Sequence, residues 1–373
     1  MASQALIEKA RAIRNWALKS RLITVGAPDP NVSDEAMQLA AQAFGDDLPR
    51  TWQRSGLTGV GVSDMGDKII VYTAVSLPGT EASMVPTQLA DGVEIEYKKA
   101  SPFTLKDDTP DTMFGVEPAV FRAKRYTCGS SISVSNRRSA GTMGALVRDK
   151  DGKLLGLTNN HVTGGCNNTR RGMPISAPGI KDVSATGLRP FTLGAHHQSI
   201  PMILGEPDAV DHTLNTDAAV FDIGHSNLVS SMQQNHYDTP TQLAQIVADP
   251  ANGLAVKKVG RTTGLTTGIV ESQMIGAFPL DYDIPTYHSA NESVRFRGRV
   301  YFEPVYLIRG LGGVFSDRGD SGALVVTNDD GKEKALGLIF AGDASDNLSY
   351  MLPLEPILSK LQLELVNGLG TNG

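Results

Sequence analysis

The pattern of apolar and polar positions changes character about a third of the way along the chain. In residues 4–18, Leu6, Ala10, Ile13 and Ala17 or Leu18 recur at helical spacing, which predicts an amphipathic helix. Residues 33–44 form a second such pattern, with Ser33 placed as N-cap and Asp34 and Glu35 in the first turn, where carboxylates meet unpaired N–H groups. Residues 59–62, 68–74 and 93–98 read as strands. Two helices and three strands predict a small α+β domain over residues 1–110, followed by a linker in the polar, Asp-, Thr- and Pro-rich stretch 102–118.

Beyond it the apolar runs become short and are separated by Gly, Pro, Asn and Asp, as in all-β domains. Residues 143–147 and 154–157 flank the turn-forming Asp149-Lys150-Asp151-Gly152 and predict a hairpin. Two helices are expected in this part. One spans 239–247, opened by Thr239-Pro240; the other spans 353–365, with Leu354, Ile357, Leu361 and Leu365 on one face.

Composition narrows the function classes. A 373-residue chain with 40% hydrophobic residues has material for more than one core. The net charge of −6 and the lack of a basic stripe argue against nucleic-acid binding. The first 25 residues are interrupted by Glu8, Lys9, Arg11, Arg14, Lys19 and Arg21, so neither a secretory signal nor a membrane segment is expected and the protein reads as cytoplasmic. Two cysteines, Cys128 and Cys166, do not make a disulfide scaffold. His196, His197, His212, His225, His236 and His288 read as surface or loop residues. The pair His196-His197 would point to opposite faces of a strand and has no Cys or Glu spacing beside it, so no metal or cofactor is expected.

Candidate chemistry lies in Thr158-Asn159-Asn160-His161-Val162 and Gly319-Asp320-Ser321-Gly322-Ala323. A serine hydroxyl becomes a nucleophile when an imidazole takes its proton and an acid fixes the imidazole tautomer. Asp217, opening the apolar run Asp217-Ala218-Ala219-Val220-Phe221, is the expected acid, with Asp211 and Asp222 as alternatives under a shifted register. The order His161, Asp217, Ser321 discriminates between folds. An α/β-hydrolase needs a histidine after the serine, yet the last histidine is His288, and Ala323 stands at the second elbow glycine. A subtilisin order would draw on Asp149 or Asp151, but the surrounding hairpin pattern does not fit that fold.

These motifs resemble those of chymotrypsin-fold serine peptidases, particularly bacterial trypsin-like and HtrA-like members. The histidine box is similar to Leu157-Thr158-Asn159-Asn160-His161-Val162, the aspartate strand to Thr216-Asp217-Ala218-Ala219-Val220, and the serine box to Gly319-Asp320-Ser321-Gly322. Val259-Gly260-Arg261-Thr262-Thr263-Gly264-Leu265-Thr266-Thr267-Gly268 resembles a strand and turn at the start of the second barrel. The resemblance covers roughly residues 120–365 and implies a mainly β architecture of two six-stranded antiparallel β-barrels behind the α+β domain, with residues 115–235 as the first barrel and 236–373 as the second. It implies a serine endopeptidase acting through an acyl-enzyme, with the N–H groups of Gly319 and Ser321 as oxyanion hole.

The same resemblance puts Phe315 at the base of the primary pocket and Phe340-Ala341-Gly342 along its wall, with Asp343 and Asp346 close by in sequence; an apolar or small P1 residue is favoured, and Asp343 leaves a basic preference open. It leaves the partner of Asp320 open between an internal cation and a disordered site. Related extracellular peptidases bridge the neighbourhood of Cys128 and Cys166. Regulation is expected from the N-terminal domain or from a dedicated protein partner, with Lys124-Arg125 and Arg137-Arg138 as possible cleavage sites. The alternatives are a latent protease fold used as a scaffold or binding module, and an esterase.

Overall fold

The computed structural model describes residues 3–371 apart from 46–49, 64–65, 103, 107–109, 245–252, 290–291 and 330. Its centre is a closed ring of six antiparallel strands. Leu254–Gly260 pairs with Leu324–Asp329, then Lys332–Asp343, Leu348–Pro353, Tyr306–Gly310 and Gly264–Met274, which returns to Leu254–Gly260. Val256, Val270, Ile308, Phe315, Val325 and Met351 fill its interior. Opposite it stands a curled eight-stranded sheet ordered Leu363–Leu365, Ala145–Asp149, Leu154–Thr158, Ala219–Ile223, Phe191–Ser199, Pro174–Ala177, Ser131–Val134 and Gly141–Thr142. One core joins the two, with Val147, Leu157 and Val220 of the curled sheet against Val326, Leu338 and Phe340 of the ring.

The first two helices run over Gln4–Lys19 and Asp34–Phe44, and the Ser33 hydroxyl accepts the Ala36 N–H as an N-cap should. They cover one face of the strands Leu57–Ser63 and Lys68–Thr73, where Val60, Ile69 and Val71 meet Trp16 and Phe44. The other face of Lys68–Thr73 points Ile70 and Tyr72 into the core shared with the barrel. Burial on both faces accounts for an unbroken apolar run where a half-exposed strand would alternate. Leu57–Ser63 also pairs with Gly264–Met274, in the register Gly61↔Met274, so the N-terminal strands extend the barrel's own sheet.

Two expected helices differ. Residues 239–244 are not helical: Ala244 N–H donates to Ala335 O, and Leu243 bridges Ala335. Residues 245–247 lie outside the described part. At the C-terminus the helix is Leu354–Leu361; Gln362 takes a left-handed turn (φ 53°), and Leu363–Leu365 becomes a strand on Ala145–Asp149. Leu363 and Leu365 are buried while Glu364 is exposed, a period of two that competes with the helical spacing of the same leucines.

His196, expected at the surface, is 4% exposed within the curled sheet, and its Nδ1 has no hydrogen-bond partner among the described residues. Burial, with a smaller contribution from His197, pushes its pKa down to about 4. The unfolded chain therefore takes up this proton first, and the stability from the neutral ring is complete above about pH 6.5 and lost as pH falls to about 4. Unfolding free energies should fall by about 3 kcal/mol across that window on account of this residue, and His196→Leu should flatten that slope. A slope unchanged by the substitution would contradict the assignment.

Candidate active site

His161 sits on a single wide helical turn, Asn160–Gly164, directly after the strand Leu154–Thr158. Asn160 fastens the turn, its side-chain amide donating to Asn167 Oδ1 and Ile200 O while its Oδ1 accepts the Asn167 N–H. Asp217, fully buried, precedes the strand Ala219–Ile223, which pairs with Leu154–Thr158 and so brings the acid beside the histidine. Oδ2 of Asp217 lies 2.5 Å from His161 Nδ1, and Oδ1 accepts the His161 backbone N–H at 2.9 Å. Asn159 Nδ2 donates to the Asp217 carbonyl at 2.6 Å. Neither alternative acid is near. Asp211 caps its own turn by accepting from Thr213, and Asp222 pairs with Lys153 and His197.

Ser321 comes from the closed barrel and lines one cavity with His161. Its loop is pinned to the opposite sheet: Thr142 N–H donates to Ser321 O, and Thr142 Oγ1 donates to Gly319 O. A side chain at Gly322 (φ +94°) would meet Thr158 Oγ1 and Thr142 O at 2.3 and 2.4 Å, so this close approach requires glycine. Thr262 Oγ1 donates to Arg318 O. Because the Arg318–Gly319 peptide is trans, the Gly319 N–H points the opposite way. Neither the Gly319 nor the Ser321 N–H donates to any acceptor among the described residues, which is what an oxyanion site requires before substrate arrives.

His161 and Asp217 thus belong to a curled antiparallel sheet and Ser321 to a closed six-stranded barrel, meeting at the seam. The fold is chymotrypsin-like. No family model matches the sequence, and no curated protein matches it. Among solved structures, the chain is similar to Thermobifida fusca Protease A (18% identity, 65% of this chain and 98% of that one, TM-score 0.39) and to Nocardiopsis protease (16%, 64% and 97%, 0.38). It is also similar to the Rv3671c protease of M. tuberculosis in its active form (17%, 70% and 93%, 0.30).

Other residues near this candidate site were less legible. The partner of Asp320 is Lys258, both with fully buried side chains and 3.2 Å apart. Burial lowers the Lys258 pKa while Asp320 opposes the shift. Asp320 also accepts from Thr262 N–H, Thr263 N–H, Thr263 Oγ1 and Asp317 N–H. The signal in the sequence was a lysine on the inward-facing side of an apolar strand, in phase with Val256. A second residue, Tyr282, donates its hydroxyl to Asp217 Oδ2 at 2.9 Å.

Of the expected pocket, Ala341 and Gly342 line the cavity, together with Ser316 and Ile339. Phe315 and Phe340 are fully buried in the cores and do not line it. Asp343 accepts from Ser345, and Asp346 is held by Lys99 and the Ser101 N–H, so each carboxylate already has a partner. Cys128 and Cys166 are free, buried thiols; burial raises Cys128 to about 12 and Cys166 well above its ordinary value. Arg137 is buried and donates to His161 O, so the Arg137-Arg138 pair is not a simple exposed loop, whereas Lys124 is exposed in the tight turn between Phe121–Arg122 and Arg125–Cys128.

Proposed function

We propose that this protein is a serine endopeptidase that works through an acyl-enzyme. The observation that carries the reading is the 2.5 Å contact of His161 Nδ1 with buried Asp217, in a cavity shared with Ser321 and beside two unpaired backbone N–H groups. Ser321 Oγ attacks the scissile carbonyl as His161 Nε2 takes its proton. Asp217 keeps the proton on Nδ1 and stabilises the imidazolium, and the Gly319 and Ser321 N–H groups receive the developing oxyanion. His161 then delivers its proton to the leaving amine, and water repeats the sequence on the ester. The buried Lys258 counters Asp320 from within the fold, which supports a site needing no newly cut N-terminus.

A small or apolar P1 residue is favoured by Ala341, Gly342 and Ile339 on the cavity wall, and by the engagement of Asp343 and Asp346 elsewhere. The test is labelling of the full chain by a fluorophosphonate, followed by a peptide library. Labelling that survives at Ser321→Ala, or cleavage strictly after Arg or Lys, would overturn the respective assignment.

The reading includes control by the chain itself. The strand Thr104–Lys106 pairs in parallel with the hairpin strand Phe278–Ser289, and Leu105 and Lys106 line the same cavity as His161 and Ser321. From there the chain reaches Pro110, whose carbonyl accepts from Arg261. A protein substrate must compete with this strand for the cleft. The double change Leu105→Gly/Lys106→Gly should raise kcat/KM for a long peptide severalfold and leave turnover of a small ester unchanged. Equal losses on both substrates would mean that the strand only supports the fold.

A further inference from the structure

The carboxylate of Asp217 receives three donors: the His161 backbone N–H on Oδ1, and both the His161 ring and the Tyr282 hydroxyl on Oδ2. Tyr282 belongs to neither sheet that carries the triad. It stands on a long hairpin, Phe278–Ser289 with Glu292–Phe302, inserted between two strands of the closed barrel, Gly264–Met274 and Tyr306–Gly310. Alternation along Leu280-Asp281-Tyr282-Asp283-Ile284 buries Leu280, Tyr282 and Ile284 and turns the aspartates outward, where Asp281 pairs with Arg299, and Asp283 with Arg295 and Arg297. The ring of Tyr282 is 1% exposed and packs against Phe296, Phe302 and the His161 ring, at centroid distances of 6.0, 6.4 and 6.3 Å. Phe340, in the same core, has no hydroxyl to offer.

We infer that Tyr282 is a positioning residue for the triad: through its hydroxyl the hairpin sets the plane and the effective charge of the Asp217 carboxylate, and through Asp217 the orientation and basicity of His161. This rests on the proposed peptidase reading. Donation to Oδ2 draws negative charge away from the edge that faces Nδ1, so removing the hydroxyl strengthens the pull on the imidazolium and raises the His161 proton affinity. It also leaves the carboxylate free to rotate, which costs alignment in the transition state.

Tyr282→Phe deletes one oxygen and retains the ring. With the full chain, kcat should fall about ten- to a hundredfold, the loss that a hydrogen bond to a charged group converts to, with KM for the same peptide nearly unchanged. The acid limb of the kcat/KM profile should move to higher pH. Replacement by 3-fluorotyrosine, which keeps the donor, should restore kcat. Ile284→Ala, on the same inward face but without a bond to Asp217, should lower Tm and leave the acid limb in place. Wild-type rates and an unmoved limb in Tyr282→Phe, or a lowered Tm as its only effect, would overturn the inference while wild-type turnover left the peptidase reading intact. Absence of turnover and of fluorophosphonate labelling in the wild type would instead overturn the reading on which it rests.

Discussion

Alanine at Ser321 is expected to lower peptide hydrolysis by about 10⁶-fold in kcat while leaving the fold unchanged, because the acyl-enzyme route disappears and only binding and the oxyanion donors remain. The side chain is only partly buried and its hydroxyl makes no hydrogen bond among the described residues, so thermal unfolding should match the wild type. His161→Ala should cost about as much, and the double variant little more, since the two act as one unit. Asp217→Asn should cost about 10⁴-fold. The geometry gives a particular reason here: Oδ1 and Oδ2 both accept hydrogen bonds, from the His161 N–H on one side and from Tyr282 and the ring on the other. A carboxamide has one oxygen, so one donor must face an NH₂ group whichever way the amide turns. Active-site titration with steady-state kinetics checks the series. A Ser321→Ala variant that hydrolyses peptides near the wild-type rate would place the chemistry elsewhere in the molecule.

The second large effect is expected at Lys258. Lys258→Met preserves most of the side-chain volume and removes the cation, leaving Asp320 fully buried with only neutral donors. Breaking a buried pair from one side typically costs about 3–5 kcal/mol, because the surviving charge keeps its desolvation penalty. The loss should also reach catalysis. Asp320 accepts the Asp317 and Thr262 N–H groups, and Thr262 in turn fixes the Arg318 carbonyl that orients the Gly319 N–H. Loosening that chain removes one oxyanion donor, a loss of about 10²–10³-fold in kcat. Chemical denaturation and titrated kcat values measure the two effects separately. The double variant Lys258→Met/Asp320→Asn should recover much of the stability, since both charges are then absent, but not the rate. A single variant as stable and as active as the wild type would show that the pair does not hold the loop.

Truncation at residue 115, a natural way to look for an inhibitory N-terminal domain, disturbs more than a cover. It would remove Leu57–Ser63 from the edge of Gly264–Met274 and take Lys98 and Tyr72 away from buried Glu271, which would keep Arg309. Point changes in Thr104–Lys106 separate control of the cleft from support of the barrel.

Much of this protein was legible along the chain because the deciding signals are local. Helical spacing located the first two helices, the second with its Ser33 cap, turn chemistry at Asp149-Lys150-Asp151-Gly152 located the hairpin, and residue types in chain order picked out His161, Asp217 and Ser321. What only the tertiary structure decided are the partnerships formed across long loops. Tyr282 is 65 residues from the aspartate it holds, and Lys258 meets Asp320 only after two other barrel strands have intervened. Residues 363–365 carry leucines compatible with either period, and the open edge of Ala145–Asp149 is what turns them into a strand. Local propensity specifies an element when its own hydrogen bonds suffice. A buried charge, a buried hydroxyl or an edge strand is specified by whichever distant group satisfies it, and that group is set by how the closed barrel packs against the curled sheet.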